Sequence, residues 1–156
     1  MAQIPFTDRE MQRAWRENRT ASAAFIQVKR NNAHRLLLFY AIECGLKAVL
    51  MKRKSITCTN HCDEIGEAQH DINKLLDALG AGKKLKLPNQ LNMAPIKDKS
   101  SEEKRKLESG KINQMWRYGG VVRNTTIDGK SVNLTDDDLE KYLIEISKWI
   151  EQELGC

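Results

Sequence analysis

Leu36–Met51 reads LLLFYAIECGLKAVLM, and this stretch decides the fold. Apolar residues fall on every side of the helix it would form, so other elements must surround it. A membrane span would need roughly 20 such residues. This run is shorter and carries Glu43 and Lys47. It is predicted to be the central helix of a bundle, running from about Asn32 to Lys54. Basic clusters bracket it: Lys29, Arg30 and Arg35 before, Lys52, Arg53 and Lys54 after. The second cluster suits the negative end of a helix dipole.

Helices are predicted on both sides. Thr7-Asp8-Arg9-Glu10 has the form of a capping box, opening a helix with Met11, Trp15, Ser22, Phe25 and Ile26 on its inner side. Paired Asn31-Asn32 breaks it. Ser55 to Gln69 reads as a loop. His70–Leu79 (HDINKLLDAL) sets Ile72, Leu75, Leu76 and Leu79 on one face before Gly80 stops it. A basic, proline-containing connection covers Ala81 to Lys99. Ser100-Ser101-Glu102-Glu103 resembles a second capping box, opening a helix to Tyr118 that Gly119-Gly120 ends. Asp128-Gly129 suits a tight turn, placing a small hairpin within 121–134. Thr135 caps a last helix with three aspartates in its first turn. Leu139, Tyr142, Leu143, Ile146, Trp149, Ile150 and Leu154 form its apolar stripe. The predicted fold is all-α, an up-and-down bundle of four to five helices in one domain over residues 1–156.

A chain of 156 residues buries about 68–70% of its unfolded surface without staples. MAQIPFTDRE lacks a basic-then-apolar leader pattern, which predicts a cytoplasmic location. Reduced thiols are then expected at Cys44, Cys58, Cys62 and Cys156. The net charge of +5 is uneven. Through Ser55, 11 Lys/Arg stand against 4 Asp/Glu; from Glu108 onward, 6 stand against 9. That polarity suits an anionic partner or head-to-tail self-association.

Few residues form a recognisable chemical motif. Cys58, His61 and Cys62 offer zinc-type ligands in a single cluster, whereas structural zinc usually draws on two; no metal or cofactor is predicted. Gly80-Ala81-Gly82-Lys83-Lys84 lacks the spacing of a phosphate loop. His70-Asp71 reads as a helix cap with a packed imidazole. Met115-Trp116-Arg117-Tyr118 sets a guanidinium between two aromatics, an arrangement able to hold a phosphate and stack a base.

Three segments in order resemble HEPN domains, the nucleotide-binding helical domains of prokaryotes and higher eukaryotes. AIECGLKAVLM is similar to that family's second helix, HDINKLLDAL to its His-Asp helix, and MWRYGG to a late Arg-Tyr element. The resemblance implies a helical bundle, often a homodimer, that binds nucleotide or RNA. It further implies a partner enzyme such as a nucleotidyltransferase, in a defence or toxin–antitoxin setting. On that footing Arg117 holds phosphate and Trp116 and Tyr118 stack. Arg35, Lys52, Arg53, Lys54, Arg123 and Asn124 add attraction. Cutting members of the family carry an Arg followed shortly by a His. Here the nearest pair is Arg30 and His34, one residue closer than that spacing, and no His follows Arg123. A metal-independent endoribonuclease using Arg30 and His34 is the alternative; a non-catalytic interaction module is the third reading.

Overall fold

The structure, a computed structural model, describes residues 4–23 and 30–155. Phe25, Ile26, Lys29 and Cys156 lie outside the described residues. In chain order the elements are α1 (Asp8–Ala23), α2 (Asn32–Lys54), α3 (Asp63–Ala68), α4 (Ile72–Leu79), β1 (Leu91–Asp98) and β2 (Ser101–Leu107). After them come α5 (Ile112–Arg117), β3 (Val122–Ile127), β4 (Lys130–Asn133) and α6 (Asp136–Leu154).

The central helix is as the sequence predicts. α2 touches α1, α4, α5 and α6, and its residues Phe39, Ala41, Ile42, Leu46, Ala48 and Met51 have no exposed surface. Asn31 caps it, accepting the His34 amide at 3.1 Å, while His34 Nδ1 accepts the Asn31 amide at 3.2 Å. Ser55, at φ 54°, closes its far end in the left-handed region. Gly45 is where three helices meet. A Cβ there would lie 2.9 Å from Ile150 on α6 and 2.9 Å from Trp15 on α1. Among the described residues no helix is long and apolar enough to cross a membrane.

The expected capping box at Thr7 forms, with Thr7 Oγ1 accepting the Glu10 amide at 3.1 Å, and the expected cap at Thr135 is itself a full box, with Thr135 Oγ1 accepting the Asp138 amide at 3.1 Å. In return the Glu10 and Asp138 carboxylates accept from the backbone amides and hydroxyls of Thr7 and Thr135, which holds both carboxyls below their ordinary ranges. The α6 stripe buries Leu139, Leu143, Ile146 and Ile150 completely.

The all-α expectation is overturned. A four-stranded antiparallel sheet, ordered β2-β1-β3-β4, lies between α4 and α6 in the chain. The expected hairpin within 121–134 is there, turning at Asp128 (φ 51°) and Gly129 (φ 79°) with both central residues left-handed. The helix expected from Ser100 to Tyr118 is not. Its first half is strand β2 and only Ile112–Arg117 is α-helical. The expected connection 81–99 supplies β1, and the expected loop 55–69 contains α3.

The reason is tertiary. Glu, Lys and Arg favour helix over other residues by only tenths of a kcal/mol each. Pairing β2 with β1 sets Leu107 opposite Leu91, and both are buried in the common core. Burying two leucines is worth about 1.5–3 kcal/mol apiece, which outweighs the local preference. Pro95 sits in a strand paired on both sides, which a missing N–H permits only at an irregularity. The β1–β2 register shifts between Met93 and Ile96. There the Arg105 guanidinium donates to the Ala94 carbonyl at 2.7 and 3.0 Å.

Candidate functional site

Each basic end of α2 makes contacts within the protein, the first half-buried and the second, Lys52 to Lys54, exposed. Arg30 donates through Nε to Glu140 at 2.8 Å and through Nη2 to the same oxygen at 2.5 Å. Its remaining contacts go to Ser22, whose hydroxyl it reaches at 2.8 Å and whose carbonyl it also bonds. Arg35 reaches Asp137 at 2.6 Å and lies 3.7 Å from the other Glu140 oxygen, an ion contact too long for a hydrogen bond. The Ser22 hydroxyl also donates to the His34 carbonyl at 2.8 Å, so Arg30 and His34 meet through Ser22. The imidazole closes the capping box. At the other end, Lys52 donates to the Glu153 carbonyl at 3.2 Å. Arg53 donates to the Leu79 carbonyl at 2.7 Å and pairs with Glu153 at 3.1 Å. Lys54 bonds Glu64, and this contact draws the Glu64 carboxyl down to about 2.

The aromatic-flanked Arg117 is separated from one of its neighbours. Trp116 is 2% exposed, with its indole N–H donating to Asp136 at 2.9 Å, so its ring cannot stack a base. Arg117 bonds the Tyr40 hydroxyl, and that contact, with a smaller one from Tyr118, raises its pKa further. Tyr118 is 77% exposed. Arg123 and Asn124 are exposed on β3.

Beneath Tyr118 runs a cleft of about 530 Å³ between β2 and α5. Its charged lining sets four cations, Lys104, Arg105, Lys106 and Lys111, against the single carboxylate of Glu103. Lys104, Lys106 and Lys111 make no ion pair among the described residues. Arg105 is held on the Ala94 carbonyl and stiffens the wall. The Gly119-Gly120 turn shapes the floor. Gly119 has φ +76°, and a Cβ on Gly120 would lie 2.5 Å from Met93 and 3.1 Å from the Met115 carbonyl oxygen. Asn32 on α2 ties this turn down by donating to the Gly120 carbonyl at 3.1 Å.

The lysines of this cleft escape a helical reading of 100–118, because only a strand swings Lys104 and Lys106 alongside the start of α5. The run of three cations, Lys104-Arg105-Lys106, ahead of a lone Leu107 is the signal that points to them. Cys58, His61 and Cys62 do not converge, and no cluster of three potential metal-binding side chains occurs among the described residues. Cys44, Cys58 and Cys62 are free thiols. Comparison with protein families, with curated proteins and with solved structures gives no match.

Proposed function

We propose that the chain is a HEPN-like domain that binds a nucleotide or single-stranded RNA in the cleft between β2 and α5. The presence of Lys104, Lys106 and Lys111 together in the lining of a cleft edged by the exposed Tyr118 carries the reading. Ammonium groups without internal partners release counterions on meeting phosphates. A tyrosine ring at the rim offers a stacking face that any base can use. Gln114, also in the lining, adds a side chain able both to donate and to accept. Arg117 stands one residue away, at the end of α5.

This assignment moves the phosphate contacts from the ends of α2 to β2. A second group of cations, Arg9, Arg13 and Arg16, sits exposed on α1 without ion pairs among the described residues. It lines neither cavity and has no stacking partner at hand, so it contributes attraction over distance only.

The test is fluorescence anisotropy with a labelled single-stranded RNA of about 12 nucleotides, titrated at several salt concentrations. Changing Lys104, Lys106 and Lys111 together to Gln should reduce the slope of log affinity against log salt by about 2, at about 0.7 for each phosphate no longer neutralised. Tyr118→Ala should weaken binding about 5- to 150-fold, the equivalent of 1–3 kcal/mol of stacking. Absence of salt-sensitive binding by the native chain, or binding indifferent to the triple change, overturns the proposal.

A further inference from the structure

A larger cavity, of about 1000 Å³, is lined by the segment before α1, by Glu43, Cys44 and Lys47 of α2, and by residues of α3. Its walls are mainly apolar and include Phe6, Met11 and Ile65. Its floor is charged. Glu43, only 7% exposed, accepts from Lys47 Nζ at 2.9 Å and lies 2.9 Å from His70 Nδ1. Burial pushes the Glu43 carboxyl up, but the His70 and Lys47 contacts outweigh it and hold the group below its ordinary value. An ionised Glu43 sets the imidazole with its proton on Nδ1, leaving Nε2 as the nitrogen with capacity to spare. Gln69, at φ 52° in the left-handed region, turns the chain between α3 and α4 immediately before His70.

Packing alone does not call for this arrangement. A leucine or methionine at position 43 would fill the same helix face without desolvating a carboxylate. A buried carboxylate holding a half-exposed imidazole beside mainly apolar walls has the composition of a small-molecule site: apolar surface with a few fixed polar groups. Charge then narrows the ligand. Glu43, Asp63 and Glu67 line the cavity against the single ammonium of Lys47, which Glu43 already neutralises. Whatever charge His70 carries, the site repels carboxylates and phosphates. The aromatic and thioether walls suit a ring or branched carbon body.

We propose that this cavity binds a small apolar organic cation, an amine on an aromatic or branched body, with its ammonium on the side of the cavity lined by Asp63, Glu67 and His70. This site is separate from the basic cleft and does not rest on the nucleotide reading. Its thiols take no part. Burial raises Cys44 to about 11, and burial also pushes Cys62 up, so both stay protonated and poorly nucleophilic.

Three probes of equal size and different charge test it: benzylamine, benzyl alcohol and benzoate, titrated through the millimolar range against the whole chain. The readouts are the imidazole ¹⁵N–¹H signals of His70 and the melting temperature. Benzylamine should shift the His70 signals saturably and raise the melting temperature. Benzyl alcohol should bind at least several-fold more weakly, and benzoate should produce no saturable shift. Gly66 lines the cavity and a Cβ there meets nothing within 4 Å. Gly66→Phe should therefore fold normally and abolish benzylamine binding. Asp63→Asn with Glu67→Gln, both at exposed positions, should weaken benzylamine several-fold without affecting folding. Benzoate binding as tightly as benzylamine, no saturable benzylamine shift, or full binding by folded Gly66→Phe overturns the proposal.

Discussion

Glu140→Gln separates two roles for the arginines at the start of α2. Glu140 is 6% exposed and accepts twice from Arg30, at 2.8 and 2.5 Å, while its other oxygen stands 3.7 Å from Arg35 Nε. Glutamine keeps the shape and one acceptor but removes the charge. Hydrogen bonds to charged groups are worth about 1.5–3 kcal/mol against about 1 for neutral ones, so two weakened bonds cost about 2 kcal/mol. The new amide N–H₂ must also face Arg35 Nε, which has no hydrogen-bond partner of its own. A donor set against a donor adds about 1 kcal/mol. The total, about 3 kcal/mol, meets the lower end of the 3–5 kcal/mol seen when a buried ion pair loses one member. Urea unfolding followed by circular dichroism should show this loss with an unchanged m value. The melting temperature should fall by about 6–12 °C, at 2–4 °C per kcal/mol for a chain of this size. RNA affinity, measured where the variant remains folded, should not change. Stability within about 0.5 kcal/mol of the native chain, as for an ordinary surface change, would refute the reasoning. So would tighter RNA binding, because it would mean that Arg30 and Arg35 are available to phosphate once Glu140 releases them.

Other expectations rest on the same core and its buried polar groups. Gly45→Ala should destabilise by about 1 kcal/mol in urea, since overpacking costs about 1–3 kcal/mol against a helix gain of about 1, and Trp15 and Ile150 are fully buried. Trp116→Phe should lower stability by about 1 kcal/mol through loss of the Asp136 hydrogen bond while leaving RNA binding intact, as read by anisotropy. Glu43 is held below its ordinary 4.5 in the fold, so its contribution is complete above pH 4.5 and is lost as the pH falls through its lower folded value. The stability gap between the native chain and Glu43→Gln should accordingly be constant near neutrality and shrink on acidification below pH 4.5. At pH 8, a thiol reagent should label Cys58 before Cys44 and Cys62 in a chain carrying Cys156→Ser; rapid labelling of Cys44 in the folded chain would contradict a thiol raised to about 11.

How far the sequence can be read depends on how local each signal is. The α2 helix is legible because its apolar character has no polar face to confuse it, and the start of α6 because Thr135 with Asp138 is a contact within four residues. The turn at Asp128-Gly129 is legible for the same reason. β1 and β2 are not. LNMAPIKD contains a proline, SEEKRKL is made of helix-favouring residues, and only the pairing of Leu91 with Leu107 across the hairpin explains them. A helical reading of β2 hides the cleft, which forms between β2 and α5 only once 101–107 is extended. The Glu43–Lys47 pair is visible as a spacing of four along one helix, but its third member, His70, lies 27 residues from Glu43 and no periodicity connects it.

The charge polarity of the chain changes meaning on the same grounds. Eleven cations against four carboxylates in the first 55 residues suggest attraction to an anionic partner, and the acidic C-terminal third suggests self-association. The fold satisfies much of both internally: Arg19 meets Glu151, Arg30 and Arg35 meet Glu140 and Asp137, and Arg53 meets Glu153. All four carboxylates belong to α6, so the acidic helix is largely the counterion of the basic helices beside it. Such pairs are discounted as attraction for phosphate, since an incoming anion would have to displace a carboxylate already in place. Charge without an ion-pair partner among the described residues then carries the weight: Arg9, Arg13 and Arg16 on α1, Lys83 and Lys84 after α4, Arg123 on β3 and the lysines of the β2–α5 cleft are among it. Of these groups the cleft lysines also line a cavity edged by an exposed aromatic ring, which is why the proposed phosphate contacts are Lys104, Lys106 and Lys111 rather than the arginines that flank the central helix.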